Sequence, residues 1–256
     1  MNLLAIGDVV GKLGRQTVSE ILPQIKHDYN VDIVIANGEN AAGGKGLTDS
    51  TAKDLFRSGV DIISSGNHIW AQRETNSLLE SGMPILRPLN YPPGTPGQGV
   101  ISHQGITVIN VMGRTFMAGD LDCPFRMVDQ ILEEQETESI VILDIHAEAT
   151  SEKVAMSWYL DGRISAIFGT HTHVPTADQQ ILPNKTAYVT DLGMVGAAES
   201  VIGVEKEAVI ERFLTQMPVR FRPVEEGPAV FNSVLIKIDP ETGSATSIDR
   251  VDRRTK

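Results

Sequence analysis

The chain has 256 residues, enough for one large α/β domain with a full core. Its 41% hydrophobic and 21% charged content excludes wholesale disorder. With 22 basic against 33 acidic side chains the net charge is −11, and no Lys/Arg run could track a phosphate backbone, so long DNA or RNA is a poor candidate partner.

In chain order, short apolar runs of β type fall at 3–6, 31–36, 60–63, 106–111, 140–145 and 164–168. Helix-like stretches lie near 14–28, 48–57, 73–81, 124–136 and 150–160. This alternation predicts an α/β architecture with a largely parallel sheet covered on both faces. The turn-dense stretch at 91–99 (YPPGTPGQG) reads as a surface loop within one domain, because strand-like sequence resumes on both sides. A longer strand over 230–238, a turn at Asp239-Pro240 and a further short strand predict a second, more antiparallel sheet formed by the tail.

Cys123 is the single cysteine. It can form neither an internal disulfide nor a thiolate metal site alone, which points to a reducing compartment, the cytoplasm. The first residues lack a basic segment and a long apolar run, so no signal peptide is expected. No stretch reaches the ~20 apolar residues a bilayer span needs, so no membrane association is expected.

Polar residues able to bind metal recur just after the apolar runs. Asp8 follows the first, Glu39 and Asn40 the second, Asn67 and His68 the third; His146 closes the run at 140–145, and His171 and His173 follow 164–168. Ligands of α/β sheets bind beyond the carboxyl ends of strands, so these side chains are expected at one edge. In extended chain His171 and His173 would face one site together, while Asn67 and His68 would point apart, one toward metal and the other toward substrate. Glu39 and Asn40 need a bend to share a site, and Gly38 offers the freedom for it.

The donor set holds oxygen and imidazole but no thiolate, which favours manganese, iron or zinc. Seven candidate ligands exceed one ion with open positions and suit two ions sharing a carboxylate, for which Glu39 is the choice. Taken singly, each residue has a plainer reading: Asp8 as a cap, Asn67 as turn chemistry, His146 as a hydrogen-bonded core histidine. Their conjunction is what points to chemistry. His27 and His103 lie outside it. The P-loop pattern fails, because Leu13 stands where Ser or Thr should follow Lys12, and neither G-x-G-x-x-G after a strand nor a G-x-S-x-G elbow occurs.

Gly7-Asp8, Gly38-Glu39-Asn40, Gly66-Asn67-His68, His146 and Gly169-Thr170-His171-Thr172-His173 resemble the motifs of calcineurin-like metallophosphoesterases. The longer strings NGENAAGGKG (37–46), RPLNYPPGTPG (87–97), HAEATSEK (146–153) and GTHTHVPTAD (169–178) are similar to the bacterial YmdB-like branch, nearly end to end. The resemblance implies an α/β/β/α sandwich with two central mixed sheets, one domain over 1–256, and two metal ions per chain, iron or manganese ahead of zinc. It also implies hydrolysis of small phosphodiesters, including 2′,3′-cyclic nucleotides. By matching position, one ion would take Asp8, Glu39, Asn40 and His173, and the other Glu39, Asn67, His146 and His171. His68 matches the residue placed beside the scissile phosphate. Two features depart from the wider superfamily: Val10 replaces the histidine of its Asp-x-His motif, and Glu39 replaces a bridging Asp. The YmdB-like branch shares both.

The expected reaction is in-line attack of a metal-bridged hydroxide on phosphorus, with His68 protonating the leaving oxygen. Two rival readings are a phosphomonoesterase or nucleotidase on the same metals, and a regulatory nucleotide-binding protein with weak catalysis. Against the second, no ligand position is degraded. A homo-oligomer is compatible with the sequence.

Overall fold

The computed structural model describes residues 1–134 and 140–255. In chain order the elements are β1 (Asn2–Ile6), β2 (Asp8–Val9), α1 (Gly11–Tyr29), β3 (Ile33–Asn37), α2 (Asp49–Arg57), β4 (Ile62–Ser64), α3 (Thr75–Leu79), β5 (Val100–His103) and β6 (Ile106–Met112). There follow α4 (Pro124–Glu134), β7 (Ile140–His146), α5 (Thr150–Leu160), β8 (Ala166–Thr170), β9 (Gln180–Ile181), β10 (Ala187–Val189) and β11 (Met194–Ala197). The chain ends with α6 (Lys206–Thr215), β12 (Ala229–Phe231), β13 (Ser233–Ile238), β14 (Ala245–Arg250) and β15 (Arg253–Arg254). Of the helix expected over 124–136, residues 135–136 lie outside the described residues.

Two sheets stack face to face, one ordered β14-β13-β1-β3-β4 and the other β5-β6-β7-β8-β10-β9. β1-β3-β4 and β6-β7-β8-β10 are parallel; antiparallel β13 and β14 extend the first sheet on the β1 side, and antiparallel β5 and β9 close both edges of the second. Alternation along β1 explains the layering. Leu3 and Ala5 point into an apolar layer shared with Val108, Ile142 and Phe168 of the second sheet, whereas Leu4 and Ile6 pack against Val18, Leu22 and Ile25 of α1. The second sheet repeats the scheme, with Val141, Leu143 and Ile145 turned outward onto Val128, Met156 and Leu160 of α4 and α5. Three apolar layers separated by two sheets make an α/β/β/α sandwich.

The tail departs from expectation. It forms no sheet of its own: β13 adds antiparallel to β1, with Leu4 opposite Leu235, and β14 follows it into the first sheet. The run at 230–238 is also two strands, because the chain changes sheet at Asn232. There Gly7 N–H donates to the Asn232 carbonyl and Asn232 N–H to that of Met194. A third small sheet, β15-β12-β11-β2, results, and it holds Asp8 in parallel register with Met194. Helix α6 had no counterpart in the sequence reading. Among the described residues no helix is long and apolar enough to cross a membrane.

Candidate metal centre

The carboxyl ends of β1, β3, β4, β7 and β8 meet at one edge of the sandwich. Asp8 lies in β2 just past β1, Glu39 and Asn40 follow β3, Asn67 and His68 follow β4, His146 ends β7, and His171 and His173 follow β8. All eight residues singled out from the sequence lie at this edge; direct contacts join seven of them, and Asn40 shares a cavity lining with His68 and His173.

Glu39, His146 and His171 offer ligand atoms within 4.8 Å of one another. Around His146 Nε2 stand Asn67 Oδ1 at 2.9 Å, Glu39 Oε1 at 3.1 Å and His171 Nδ1 at 3.1 Å. The tautomer explains why these atoms need something between them. Thr170 donates its hydroxyl to Asp144 Oδ1 at 2.8 Å, so the contact between that hydroxyl and His146 Nδ1, at 2.9 Å, is donated by the imidazole. In the neutral imidazole the proton therefore sits on Nδ1 and Nε2 presents the lone pair, the position that a second proton or a cation takes up. His171 repeats the pattern, since its Nε2 pairs with Glu148 Oε2 at 3.1 Å, which turns the Nδ1 lone pair inward. His173 does so from the other nitrogen: Nδ1 lies 2.9 Å from the Ile202 carbonyl, which can only accept, leaving Nε2 facing Asp8 Oδ1 at 3.7 Å. Imidazoles held by an outer partner with the opposite nitrogen bare are oriented as metal ligands are.

The Asp8 side of the group shows the same need. Asp8 Oδ1 and Asn40 Oδ1 are buried without a hydrogen-bond partner. Asn40 spends its amide N–H on the Gly44 carbonyl, and Asp8 Oδ2 accepts from His171 N–H, so the orphaned oxygens are fixed. A buried acceptor left alone costs about 1–3 kcal/mol. A cation would satisfy both oxygens, and the residues present therefore fit a metal.

Without one, protons carry the compensation. Burial pushes the Asp8 carboxyl up, against the pull of His173 and His146. Burial would also raise Glu39, but the His146 charge and hydrogen bond, with the His68 backbone N–H at 2.8 Å, hold it down at about 2. His146, depressed by burial but facing Glu39, rises to about 9. His171 is driven to about 3 by burial and by the His146 charge. His68 is lowered chiefly by burial.

Some geometric expectations take a different form. His171 and His173 are not extended: both hold left-handed φ values, 100° and 65°, and they face opposite sides of the group. His68 sits at φ −93° and ψ 0°, outside the strand region, so strand alternation is not what separates it from Asn67. Gly38 is required for space and not for freedom, since a β-carbon there would lie 2.6 Å from Ile63 Cγ2. Gly66 is tighter still, its β-carbon falling 2.1 Å from Cδ2 of the His146 ring.

Several supporting residues escaped the sequence reading. Thr170 adjoins His171 and Glu148 lies two residues after His146, and their hydroxyl and carboxylate were the available signal. The sequence left open whether the strand end carrying Asp191 borders the pocket, and it assigned Lys153 no role. The two form a buried ion pair at 2.7 Å, with Lys153 also donating to the Thr170 carbonyl and Asp191 accepting from the Thr172 and Gly193 N–H groups. Asp144 reaches His146 through Thr170 and also accepts from Ser64 Oγ.

The sequence profile of the YmdB-like protein family matches residues 4–251. The chain belongs to the YmdB-like family. Within that family it is 46% identical over 256 residues to a 2′,3′-cyclic-nucleotide 2′-phosphodiesterase of Bacillus subtilis, an alignment covering 98% of this chain and 96% of the relative. A Thermus thermophilus protein of undescribed activity superposes with a TM-score of 0.92 at 47% identity, covering both chains completely. A Mycoplasma pneumoniae phosphatase gives 0.93 at 33% identity over 99% of this chain and 93% of its own. The YmdB-like fold is thus the sandwich described above.

Gly66→Ala is expected to push the His146 ring out of place and to cost about 1–3 kcal/mol as an overpacked site. Metal content should fall sharply while far-ultraviolet circular dichroism stays native; full metal occupancy would contradict the packing argument. Asp144 carries a second expectation for metal-free protein. Burial raises its carboxyl from 3.8 to about 7 despite the Ser64 and Thr170 hydroxyls. The folded state then binds a proton the unfolded state lacks, so this contribution is full below pH 3.8 and is lost as pH rises through 7. Asp144→Asn should flatten the pH dependence of the melting temperature across that window, and an unchanged slope would count against it.

Proposed function

We propose that this chain is a metal-dependent phosphodiesterase that hydrolyses small phosphodiesters, 2′,3′-cyclic nucleotides among them, within one catalytic domain spanning the chain. The observation that carries the reading is the convergence of bare imidazole nitrogens and orphaned oxygens around Glu39. The printed activity of the Bacillus subtilis relative supports the substrate class.

In this reading Asp8, Glu39, Asn40 and His173 would hold one ion, and Glu39, Asn67, His146 and His171 would hold a second. Oxygen and nitrogen donors without thiolate suit iron or manganese, with zinc next. Such ions, when bound, supply Lewis acidity at the phosphoryl group and make water acidic enough to attack near neutral pH.

The chain's own residues do the rest. His68 donates its backbone N–H to Glu39 Oε2, which fixes the residue beside the centre, and its ring lines an adjoining cavity of about 340 Å³. From there the imidazole is placed to hand a proton to the departing oxygen. Lys45 lines the same cavity and offers positive charge to an anion that must approach an acidic protein. It is the sole Lys or Arg among the lining residues, which supports a singly charged diester over a doubly charged monoester.

His68→Ala should leave metal content intact and lower kcat toward a 2′,3′-cyclic nucleotide by about 10²–10⁴. Unaltered turnover would remove His68 from the proton transfer. Glu39→Gln, by contrast, should cost metal itself, read by elemental analysis of the purified protein; two ions retained at wild-type occupancy would exclude the shared carboxylate.

A further inference from the structure

The cavity beside the centre has two kinds of lining. His68, His173 and Asn40 belong to the candidate centre, whereas Ile202, Phe221 and Pro223 present apolar surface that the chemistry of phosphate transfer does not use. Ile202 and Phe221 are 47% and 49% exposed. Exposed apolar side chains are ordinary when scattered, but here two share one cavity with the candidate proton donor. The volume, about 340 Å³, lies in the range of small-molecule sites.

The backbone shows that this placement is built. Segments 201–204 and 222–224 pair as a miniature antiparallel ribbon, with Glu205 N–H on the Arg222 carbonyl and Val224 N–H on that of Gly203, both at 3.0 Å. Ile202 itself holds φ 47°, a left-handed conformation that a β-branched residue rarely adopts. Such strain persists only where the surroundings enforce it. Its carbonyl accepts from His173 Nδ1 at 2.9 Å, so one strained residue both orients a candidate ligand and delivers an apolar side chain to the cavity.

We propose that Phe221 and Ile202 form a shelf on which the nucleobase of the substrate packs, the Phe221 ring stacking on the base while the phosphate reaches His68 and the metal centre. The inference rests on the phosphodiesterase reading and adds a subsite to it. Stacking on an aromatic face is tolerant of base identity, because every base has a π-face. The shelf therefore selects nucleotides over base-free esters and separates the bases only weakly.

The test compares kcat/KM of the metal-loaded protein for adenosine 2′,3′-cyclic phosphate and for methyl ribofuranoside 2′,3′-cyclic phosphate, which has the same ester and no base. The wild type is expected to prefer the nucleotide by roughly 5- to 150-fold, the range of one stacking contact. Phe221→Ala should collapse that ratio toward unity, mainly through KM, and Phe221→Trp should keep it. Trp158→Ala, at an exposed aromatic on α5 that lines neither this cavity nor the neighbouring groove, should leave the ratio alone. A second readout needs no turnover: in calorimetry of metal-free protein, adenosine 3′-monophosphate should bind more weakly to Phe221→Ala. A ratio unmoved in Phe221→Ala, or equal loss toward both esters with a changed oligomeric state, overturns the shelf. So does a wild type that hydrolyses both esters equally, an outcome that leaves the phosphodiesterase reading standing. Hydrolysis of neither ester by metal-loaded wild type sinks that reading first, and the shelf with it.

Discussion

Two carboxylates, Asp8 and Glu39, are buried where the edges of two sheets meet, and burial of both is the constraint around which the site is organised. Uncompensated charges in such a place are costly, so positive charge must be supplied. The surroundings are arranged to receive it from outside. Each of three imidazoles gives one nitrogen to a fixed partner, Thr170, Glu148 or the Ile202 carbonyl, and turns the other toward the carboxylates. Metal-free, the pair Glu39 and His146 settles the balance with a proton. The same geometry suits a cation better, because one proton on Nε2 can serve only one of the three acceptors around it.

Holding these atoms in place falls to residues that touch no ligand position from the solvent side. The loop bearing His171 and His173 runs through left-handed backbone, which costs of order 1–3 kcal/mol per residue. Its anchor is the buried pair of Lys153 and Asp191, which grips the Thr170 carbonyl and the Thr172 N–H on either side of His171. Removing one member of such a pair is far more damaging than the pair's net worth, since the other is left charged and buried. Packing completes the frame, for the loops approach so closely that glycine is the sole side-chain choice that fits beside His146.

Much of this was legible in the sequence, for identifiable reasons. The central strands were readable because they are buried on both faces and appear as continuous apolar runs, and the polar residues interrupting them at their ends stood out by contrast. What the sequence concealed depends on contacts between distant residues. Nothing in the sequence marks Lys153 and Asp191 as a pair until α5 and the end of β10 are packed together. The change of sheet at Asn232 was invisible because residues on both sides are good strand formers. The positions of His171 and His173 were anticipated and their backbone was not, since positive φ at histidine leaves no compositional mark. Helix α6 was missed because its apolar residues Ile210, Phe213 and Leu214 face outward, contrary to the usual pattern of a helix covering a core.

The placement of β1 between β3 and β13 has a bearing on biosynthesis. The strand leading into Asp8 is made well before its antiparallel neighbour, Ser233–Ile238. Until then β1 presents an open row of backbone donors and acceptors, and Gly7 lacks the Asn232 carbonyl that anchors the turn before Asp8. A nascent chain can thus pair β1 with β3 and β4 early, while the turn that carries Asp8 gains its anchor only once Asn232 has been made.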